Sequence, residues 1–313
     1  MAGFQTMKKV LITGASGFIG SHCLTALLKR GFEVHAISSR GRWNRKNQAV
    51  EWHHVDLHHF EQIVRLLLEV RPQYLLHLAW DVKHGLYWSS PENLRWVRSS
   101  LNLLQAFSDA GGKRVVTAGS CAEYDWNYGY CREGFTPLRP ATLYGVCKDA
   151  LQKMTSAVCR ESELSSAWGR LFFLYGPGED EHRLVPAVVT TLLQGNTAHC
   201  THGEQVRDYL YVEDAAEAFV SLLVSTVEGP VNIASSRIVR LKEVVYAAAE
   251  AAGRIELVRL GALKASTDDP PLLLASTERL FNEVGWQPQW SLEKGMQETV
   301  EWWKEQLKFK SDY

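Results

Sequence analysis

A glycine-rich turn between a predicted strand and a predicted helix is the feature that most constrains how this chain folds. Residues 8–13 (Lys-Lys-Val-Leu-Ile-Thr) form a short apolar run typical of a buried parallel strand. Residues 14–20 (Gly-Ala-Ser-Gly-Phe-Ile-Gly) follow at once, and residues 21–30 have the leucine spacing of a helix that ends at Gly31. Such a helix N-terminus presents backbone N–H groups and the positive end of the helix dipole, which together favour a phosphate.

These glycines predict a site for the pyrophosphate of a dinucleotide. Their spacing, GxxGxxG, permits a tight turn, close approach of a phosphate and close packing of the helix on the strand. The alternative, a glycine-rich turn that binds no ligand, fits the strand–helix context less well. The turn residues that we expect to bind the cofactor are Gly14, Ser16, Gly17, Phe18, Ile19 and Gly20.

Strand-like and helical segments alternate through the first half of the chain, which predicts an α/β fold with a doubly wound parallel sheet, the Rossmann arrangement. A length of 313 residues suffices for such a sheet and a smaller second lobe. We expect residues 1–174 to form the dinucleotide-binding domain, with later elements near 211–233 joining it. Residues 175–313 should form mainly the smaller C-terminal substrate lobe.

Composition excludes several classes of protein. A formal net charge of −1 gives no attraction to nucleic acid or to an anionic membrane. No apolar run reaches membrane-spanning length and residues 1–9 lack the core of a secretory signal, so we expect a cytoplasmic protein. The six cysteines contain no CxxC pair, which favours free thiols.

Tyr144 and Lys148 predict proton-transfer chemistry. They lie four residues apart in a segment with helical spacing, residues 141–158, so they share one helix face. A nearby ammonium favours the phenolate, so we expect the pKa of Tyr144 to be lowered from about 10. A tyrosine and a lysine at this spacing also occur on solvated helix faces. The order of the chain favours catalysis, because the glycine turn comes first and Ser120 follows at a strand end.

These features resemble the extended branch of the short-chain dehydrogenase/reductase superfamily, which contains nucleotide-sugar epimerases, dehydratases and reductases. Six motifs in family order carry the resemblance, at residues 13–20, 54–57, 77–79, 119–124, 170–177 and 207–214. The resemblance implies that Asp56, Leu57, Leu78 and Ala79 lie along the cofactor. It also implies that Ser120, Tyr144 and Lys148 are catalytic, with Tyr144 and Lys148 also contacting the cofactor, and that Arg207 contacts the substrate pyrophosphate. A surface charge is the alternative for Arg207.

Departures from the family pattern narrow the expected chemistry. Family 4,6-dehydratases follow the catalytic Thr with Asp-Glu, whereas Cys121 and Ala122 follow Ser120 here, which disfavours dehydration. Phe173, in the predicted substrate segment, and Trp96 stand where the family often has Asn. The segment around Ser120, with the Tyr-Gly-Val-Cys-Lys motif downstream, looks most like reductases of GDP-4-keto-6-deoxymannose.

The end of the second predicted strand favours NADP(H) over NAD(H). NAD enzymes usually have a carboxylate there, about 20 residues beyond the glycine turn, that accepts a hydrogen bond from the ribose 2′-hydroxyl. This chain has Ser38, Ser39 and Arg40 instead, and hydroxyls with a guanidinium suit a 2′-phosphate. Arg42 and Arg45 add positive charge nearby, although the alternative is an ordinary solvated loop.

The histidine pairs at 53–54 and 58–59 do not predict a metal site. Adjacent residues of a strand point to opposite faces, and we find no third ligand at zinc-site spacing. We therefore expect no bound metal.

The sequence as a whole predicts an NADP-dependent reductase of a nucleotide-linked 4-keto (deoxy)sugar. Tyr144 would donate the proton, Lys148 would hold the nicotinamide ribose, and Ser120 would bind the reacting oxygen. A nucleotide-sugar 4-epimerase or dehydrogenase with retained NAD is the second hypothesis, and a non-catalytic dinucleotide-binding sensor is the third. The resemblance also implies a homodimer, paired through the helix around residues 94–107 and the Tyr144 helix.

Overall fold

The computed structural model describes residues 8–39, 49–267 and 269–311. The strands within these residues are β1 (Lys9–Thr13), β2 (Glu33–Ser38), β3 (Val50–His54), β4 (Tyr74–His77), β5 (Arg114–Ser120), β6 (Tyr130–Cys131), β7 (Ser165–Leu171), β8 (Phe173–Tyr175), β9 (Ala198–His199), β10 (Val206–Tyr211), β11 (Gly229–Ile233), β12 (Ile238–Arg240), β13 (Val258–Arg259) and β14 (Leu272–Ala275). The α-helices are α1 (Phe18–Lys29), α2 (Phe60–Val70), α3 (Glu92–Asp109), α4 (Leu143–Glu161), α5 (Leu184–Leu193), α6 (Val212–Val224), α7 (Leu241–Ala252) and α8 (Leu292–Ser311).

A seven-stranded parallel sheet, in the order β11-β7-β5-β4-β1-β2-β3, organises the structure. The chain runs outward from β1 to β3, then returns to place β4 on the other side of β1. The strand order therefore reverses between β1 and β4, where parallel sheets of this kind open a crevice for a ligand. This arrangement confirms the predicted doubly wound fold.

Helices cover both faces of this sheet, as the alternating side chains of β1 require. Val10 and Ile12 pack into a core with α1 and α6, whereas Leu11 packs into a second core with α2 and α3. Both β1 faces are fully buried, which explains why its sequence is a continuous apolar run.

A second layer is built from the later part of the chain. Strands β12, β10, β14 and β6 form a smaller sheet, and β8 also pairs with β10. Helices α5, α7 and α8 pack together around their own apolar core. Each sheet also contains a strand from the other part of the chain. The late strand β11 joins the large sheet, and the earlier strand β6 joins the small one. The division into residues 1–174 and 175–313 stays a prediction.

Two local expectations need correction. Helix α1 begins at Phe18 rather than at residue 21, because the glycine turn leads directly into the helix with Gly17 as its N-cap. Leu94, which its three- and four-residue spacing with Val97, Leu101 and Leu104 predicts to lie on one apolar stripe of α3, is 60% exposed. The buried face of α3 includes the polar residues Asn93, Ser99 and Ser100, so apolar spacing does not mark it.

None of the helices in the described residues combines the length and the apolar character needed to cross a membrane. All six cysteines are buried free thiols.

Candidate active site

The glycine turn packs too closely for side chains at two of its glycines. Gly14 adopts a φ of +68°, and a Cβ added there would lie 2.8 Å from the backbone nitrogen of Ala79. A Cβ added at Gly20 would overlap the carbonyl oxygen of Gly14. Gly17 caps α1 without a side-chain hydrogen bond, which leaves the first N–H groups of the helix available to a phosphate. Ser16 and Gly17 are exposed, and Phe18 and Ile19 are half-buried. This cradle fits the pyrophosphate of a dinucleotide.

The strand β4 is held against the turn by a buried hydrogen-bond chain. The Thr13 hydroxyl accepts the N–H groups of Leu78 and Ala79, both at 3.2 Å, and lies 2.7 Å from His77 Nδ1. His77 Nε2 lies 2.8 Å from the Ser100 hydroxyl. Burial lowers the pKa of His77 to about 3, and the nearby charge of Lys148 adds to this effect. His77 is therefore neutral, and the backbone that borders the crevice is fixed.

The residues predicted to bind the adenosine end occupy different environments. Ser38 is buried at the end of β2, and its hydroxyl has no hydrogen-bond partner among the described residues. Ser39 is exposed, and Arg40 lies outside the described residues. Asp56 is half-buried and accepts the N–H of His58 at 2.9 Å, whereas Leu57 packs in the core beside α2. The side chain of Leu57 is therefore not available to a ligand.

The structure brings Ser120, Tyr144 and Lys148 together at the carboxyl end of β5. Ser120 is the last residue of β5, and its side chain lies beside the phenol of Tyr144 in the first turn of α4. Lys148 follows one turn later, with Nζ 5.9 Å from the centroid of the Tyr144 ring. Its ammonium donates to the carbonyl oxygen of Ala118 at 2.9 Å and lies 3.7 Å from the centroid of the Trp80 ring.

The expected lowering of the Tyr144 pKa is wrong for this arrangement. Burial raises the pKa of Tyr144, although the neighbouring Ser120 side chain acts in the opposite direction. Burial also lowers the pKa of Lys148 to about 7, despite the nearby carboxylate of Glu123. Removing both groups from water thus favours their neutral forms and outweighs the attraction between phenolate and ammonium. Tyr144 holds its proton at neutral pH.

Three aromatic rings enclose Tyr144 edge to face. The ring centroids of Trp80, Tyr87 and Trp88 lie 6.3, 4.9 and 5.8 Å from that of Tyr144, with interplanar angles of 78°, 88° and 87°. Asn93 ties this enclosure together, because it accepts from Trp80 Nε1 at 2.8 Å and donates to the carbonyl oxygen of Tyr87 at 2.7 Å. The sequence analysis missed Asn93.

Trp96, the residue compared with the family asparagine, stacks on Trp80 with ring centroids 6.1 Å apart. It cannot make the polar contacts of an amide, and Asn93 lies about one helical turn before it in α3. The signal that could have revealed Asn93 is an asparagine one helical turn away from the expected position.

The main chain of Ser120 is held by a buried carboxylate. Glu123 Oε1 accepts the N–H of Ser120 at 2.7 Å and the indole N–H of Trp168 at 2.9 Å. Its Oε2 accepts from Arg170 Nε at 2.6 Å, and both side chains of this ion pair are almost fully buried. Glu123 therefore acts as a positioning residue for Ser120.

The two predicted substrate residues contact each other on the neighbouring strands β8 and β10. The guanidinium of Arg207 lies 5.3 Å from the centroid of the Phe173 ring. Arg207 Nη2 also pairs with Asp269 at 2.5 Å, and Gln205 donates to the second oxygen of Asp269 at 3.0 Å. Arg207 is only 2% exposed, so the alternative of a simple surface charge is wrong.

Glu179 and Arg183 are further polar residues that the sequence analysis missed. Glu179 is buried, and burial raises its pKa to about 8 although Arg183 opposes the shift. The positive charge of Arg183 also lies near Tyr87, one of the rings around Tyr144, and partly opposes the rise of the Tyr87 pKa that burial causes. Gly178 lies next to Phe18 of the glycine turn, so this loop borders the predicted cofactor site. The sequence does contain a signal for Glu179, because this residue directly follows the Gly-Pro-Gly motif at 176–178.

A cleft of about 820 Å³ opens between the segment after Ser120 and the small sheet. Its walls include Trp126, Arg139, Thr142 and Asp269. A volume of this order accommodates a ligand larger than a single sugar, and the wall combines aromatic, cationic and anionic groups.

Comparison with known proteins shows which family model and which relatives match this chain. The model of the NAD dependent epimerase/dehydratase family matches residues 10–234, which include the glycine turn, Ser120, Tyr144 and Lys148. The CDP-abequose synthase of Salmonella typhimurium is 27% identical over 93% of this chain and 97% of its own length. The dTDP-6-deoxy-L-talose 4-dehydrogenase (NAD(+)) of Aggregatibacter actinomycetemcomitans is 26% identical over 73% of this chain and 84% of its own.

Among solved structures, the UDP-glucose 4-epimerase of Thermus thermophilus in complex with NAD superposes with a TM-score of 0.80. It is 29% identical and covers 95% of this chain and 99% of its own.

The low pKa of Lys148 predicts a pH dependence of stability. Between pH 7 and about 10.5 the unfolded chain binds the proton that folded Lys148 has lost, so the free energy of unfolding rises with pH in this window. Lys148→Met should lack this rise, which amounts to at most about 1.4 kcal/mol per pH unit. Urea denaturation of both proteins at pH 7, 8 and 9 measures the difference.

The matched control for this comparison is Lys153→Met, which changes an exposed lysine on the same helix. Its unfolding free energy should follow the wild-type pH dependence. Parallel curves for wild type and Lys148→Met would show that Lys148 stays protonated throughout.

Proposed function

This chain belongs to the NAD dependent epimerase/dehydratase family and is an enzyme of the oxidoreductase type, and on that premise we propose an NADP-dependent reductase of a nucleotide-linked 4-keto (deoxy)sugar. The observation that carries the proposal is the group formed by Ser120, Tyr144 and Lys148 beside the crevice, with no dehydrating acid–base pair after Ser120. The glycine turn would hold the dinucleotide, and Lys148 would hold its nicotinamide ribose.

Tyr144 has the protonation state that a reductase needs. A nicotinamide held by the glycine turn and Lys148 would supply hydride chemistry at the carbonyl carbon of the sugar, and the carbonyl oxygen would then require a proton. Tyr144 donates that proton, while the Ser120 hydroxyl donates a hydrogen bond to the same oxygen. The raised pKa of Tyr144 keeps its phenol protonated before the reaction. The protonated fraction of Lys148, whose Nζ lies 5.9 Å from the centroid of the Tyr144 ring, stabilises the phenolate that the transfer leaves behind.

The residues after Ser120 argue against water elimination. Cys121 is buried, and burial raises the pKa of its thiol to about 12, so it is a weak acid that does not supply a base at neutral pH. Ala122 has no ionisable group. Redox chemistry at a single carbon requires neither residue. A similar protein is named as a 4-dehydrogenase of a 6-deoxysugar nucleotide, and the reverse of a dehydrogenation is a reduction at the same carbon.

A nucleotide-sugar 4-epimerase or dehydrogenase with retained NAD is the second candidate. The similarity to a UDP-glucose 4-epimerase in complex with NAD favours it. Such an enzyme would use the same tyrosine to remove and return a proton. Mass spectrometry of the purified protein separates the two, because tightly retained NAD supports the epimerase and an empty or NADP-bound protein supports the reductase.

Tyr144→Phe tests the proposed proton donor. The change removes one hydroxyl and retains the ring that packs against Trp80, Tyr87 and Trp88. Turnover of nucleotide-linked 4-keto sugars should fall by roughly 10²–10⁴-fold. Cofactor affinity, measured by quenching of tryptophan fluorescence, should change little.

Tyr246→Phe is the matched control, because it removes the hydroxyl of an exposed tyrosine on α7. Its turnover should equal that of the wild type. Near-normal turnover of Tyr144→Phe would mean that another group donates the proton.

Arg40→Ala tests the NADP preference. Its support is the sequence at 38–40 and the buried hydroxyl of Ser38, which has no hydrogen-bond partner within the described part of the chain. Loss of a charge-assisted contact to the 2′-phosphate should weaken NADPH binding much more than NADH binding. Arg65→Ala, on the exposed face of α2, should leave both affinities unchanged. An equal loss for both cofactors would contradict the assignment.

We also propose a homodimer, supported by the resemblance and by exposed apolar side chains on the two helices concerned. Leu94 on α3 and Val146 and Met154 on α4 are 60%, 47% and 37% exposed. Light scattering at micromolar concentration should give twice the chain mass, and Met154→Glu should shift it towards the monomer because a charge would enter the interface. Leu68→Glu, on exposed α2 surface, is the control. A monomeric wild type would refute the proposal.

A further inference from the structure

Four ionisable side chains meet on one face of the edge strands β2 and β3. Their parallel register places His35 opposite Glu51 and Ile37 opposite His53. Since side chains two apart on a strand share a face, Glu33 and His35 of β2 lie on the same side as Glu51 and His53 of β3. Neighbouring histidines in the sequence do not reveal this group, because His35 comes from another strand.

Three of these side chains aim ligand atoms at one point. His35 Nδ1 and His53 Nε2 are 3.0 Å apart. The Glu51 carboxylate lies 3.5 Å from His35 Nδ1 and 3.8 Å from His53 Nε2. Two nitrogen ligands bound at 2.0–2.1 Å to one tetrahedral zinc ion lie roughly 3.3 Å apart, so small adjustments admit an ion between them.

Glu33 orients the buried histidine for this role. Its carboxylate lies 3.0 Å from His35 Nε2 and also pairs with Lys9 at 3.2 Å. When His35 is neutral, a proton on Nε2 donated to Glu33 leaves the lone pair of Nδ1 directed at His53 and Glu51. A carboxylate behind a histidine is the arrangement that fixes the tautomer of zinc-binding histidines.

We propose that His35, Glu51 and His53 bind one divalent transition-metal ion of the zinc type. Two imidazole nitrogens and one carboxylate form a ligand set that zinc accepts, with the fourth position open to water. Glu51 is 62% exposed and gives the ion a path from solvent, whereas His35 anchors the site in the interior.

The ion ties edge strand β3 to β2. The ligands come from both strands, so a bound ion adds a bond across a pair that otherwise depends on backbone hydrogen bonds and packing. The ligands precede the carboxyl ends of the strands, where the crevice opens, so the site is distinct from the proposed active site. It therefore acts on stability rather than on the chemical step.

Zinc titration of the full chain by isothermal calorimetry tests the proposal at pH 7.5. The wild type should bind one ion per chain, and saturation with Zn²⁺ at about 100 times the dissociation constant should raise the melting temperature by roughly 5 °C. Glu51→Gln and His53→Gln should abolish this rise. Glu33→Gln should weaken zinc binding by about 10–100-fold, because it removes only the orienting partner.

His54→Gln is the matched control, since it changes a histidine of the same strand on the opposite face. It should bind zinc as the wild type does. The absence of saturable binding to the wild type would overturn the proposal, as would wild-type affinity in both Glu51→Gln and His53→Gln. Glu51 is exposed, so its replacement should not unfold the chain, and circular dichroism checks that it does not.

Discussion

The buried ion pair between Glu123 and Arg170 is the interaction on which the geometry of the site depends. Glu123 holds the main chain of Ser120, and Arg170 extends the network to the hydroxyl of Tyr124 at 3.1 Å. Tyr124 donates to Asn232, whose amide donates to the carbonyl oxygen of Cys131. The network thus runs from the large sheet at β5, β7 and β11 to the small sheet at β6.

Such a pair positions residues more than it stabilises the fold. The cost of removing both charges from water offsets much of their attraction, but loss of one partner leaves an unpaired buried charge and costs about 3–5 kcal/mol. Because the main-chain N–H of Ser120 is part of this network, the fold itself fixes the position of the end of β5 beside Tyr144.

The structure places the sequence motifs where they were expected when their position depends only on residues nearby in the chain. The glycine turn, the end of β5 and the Tyr144–Lys148 pair each lie within one strand–turn–helix unit, so spacing alone predicts their position. Asn93 and Arg183 depend instead on how separate elements pack, because Asn93 on α3 bonds Trp80 and Tyr87 in the loop after β4 and Arg183 lies near that same Tyr87. The predicted lowering of the Tyr144 pKa is wrong because charge alone does not determine it. Burial has the larger effect, and burial depends on the rings that the fold packs around Tyr144.

The proposed cofactor side and the proposed substrate side of the crevice are built from different kinds of groups. Backbone N–H groups, a helix N-terminus and glycines without side chains form the first, so its requirement is geometric. Charged side chains such as Arg207 with Asp269, and Glu179 near Arg183, form the second.

The division explains why the sequence determines the family more sharply than the substrate. A nucleotide sugar would have to satisfy individual side-chain charges, whereas a dinucleotide would meet main-chain geometry that the fold itself provides.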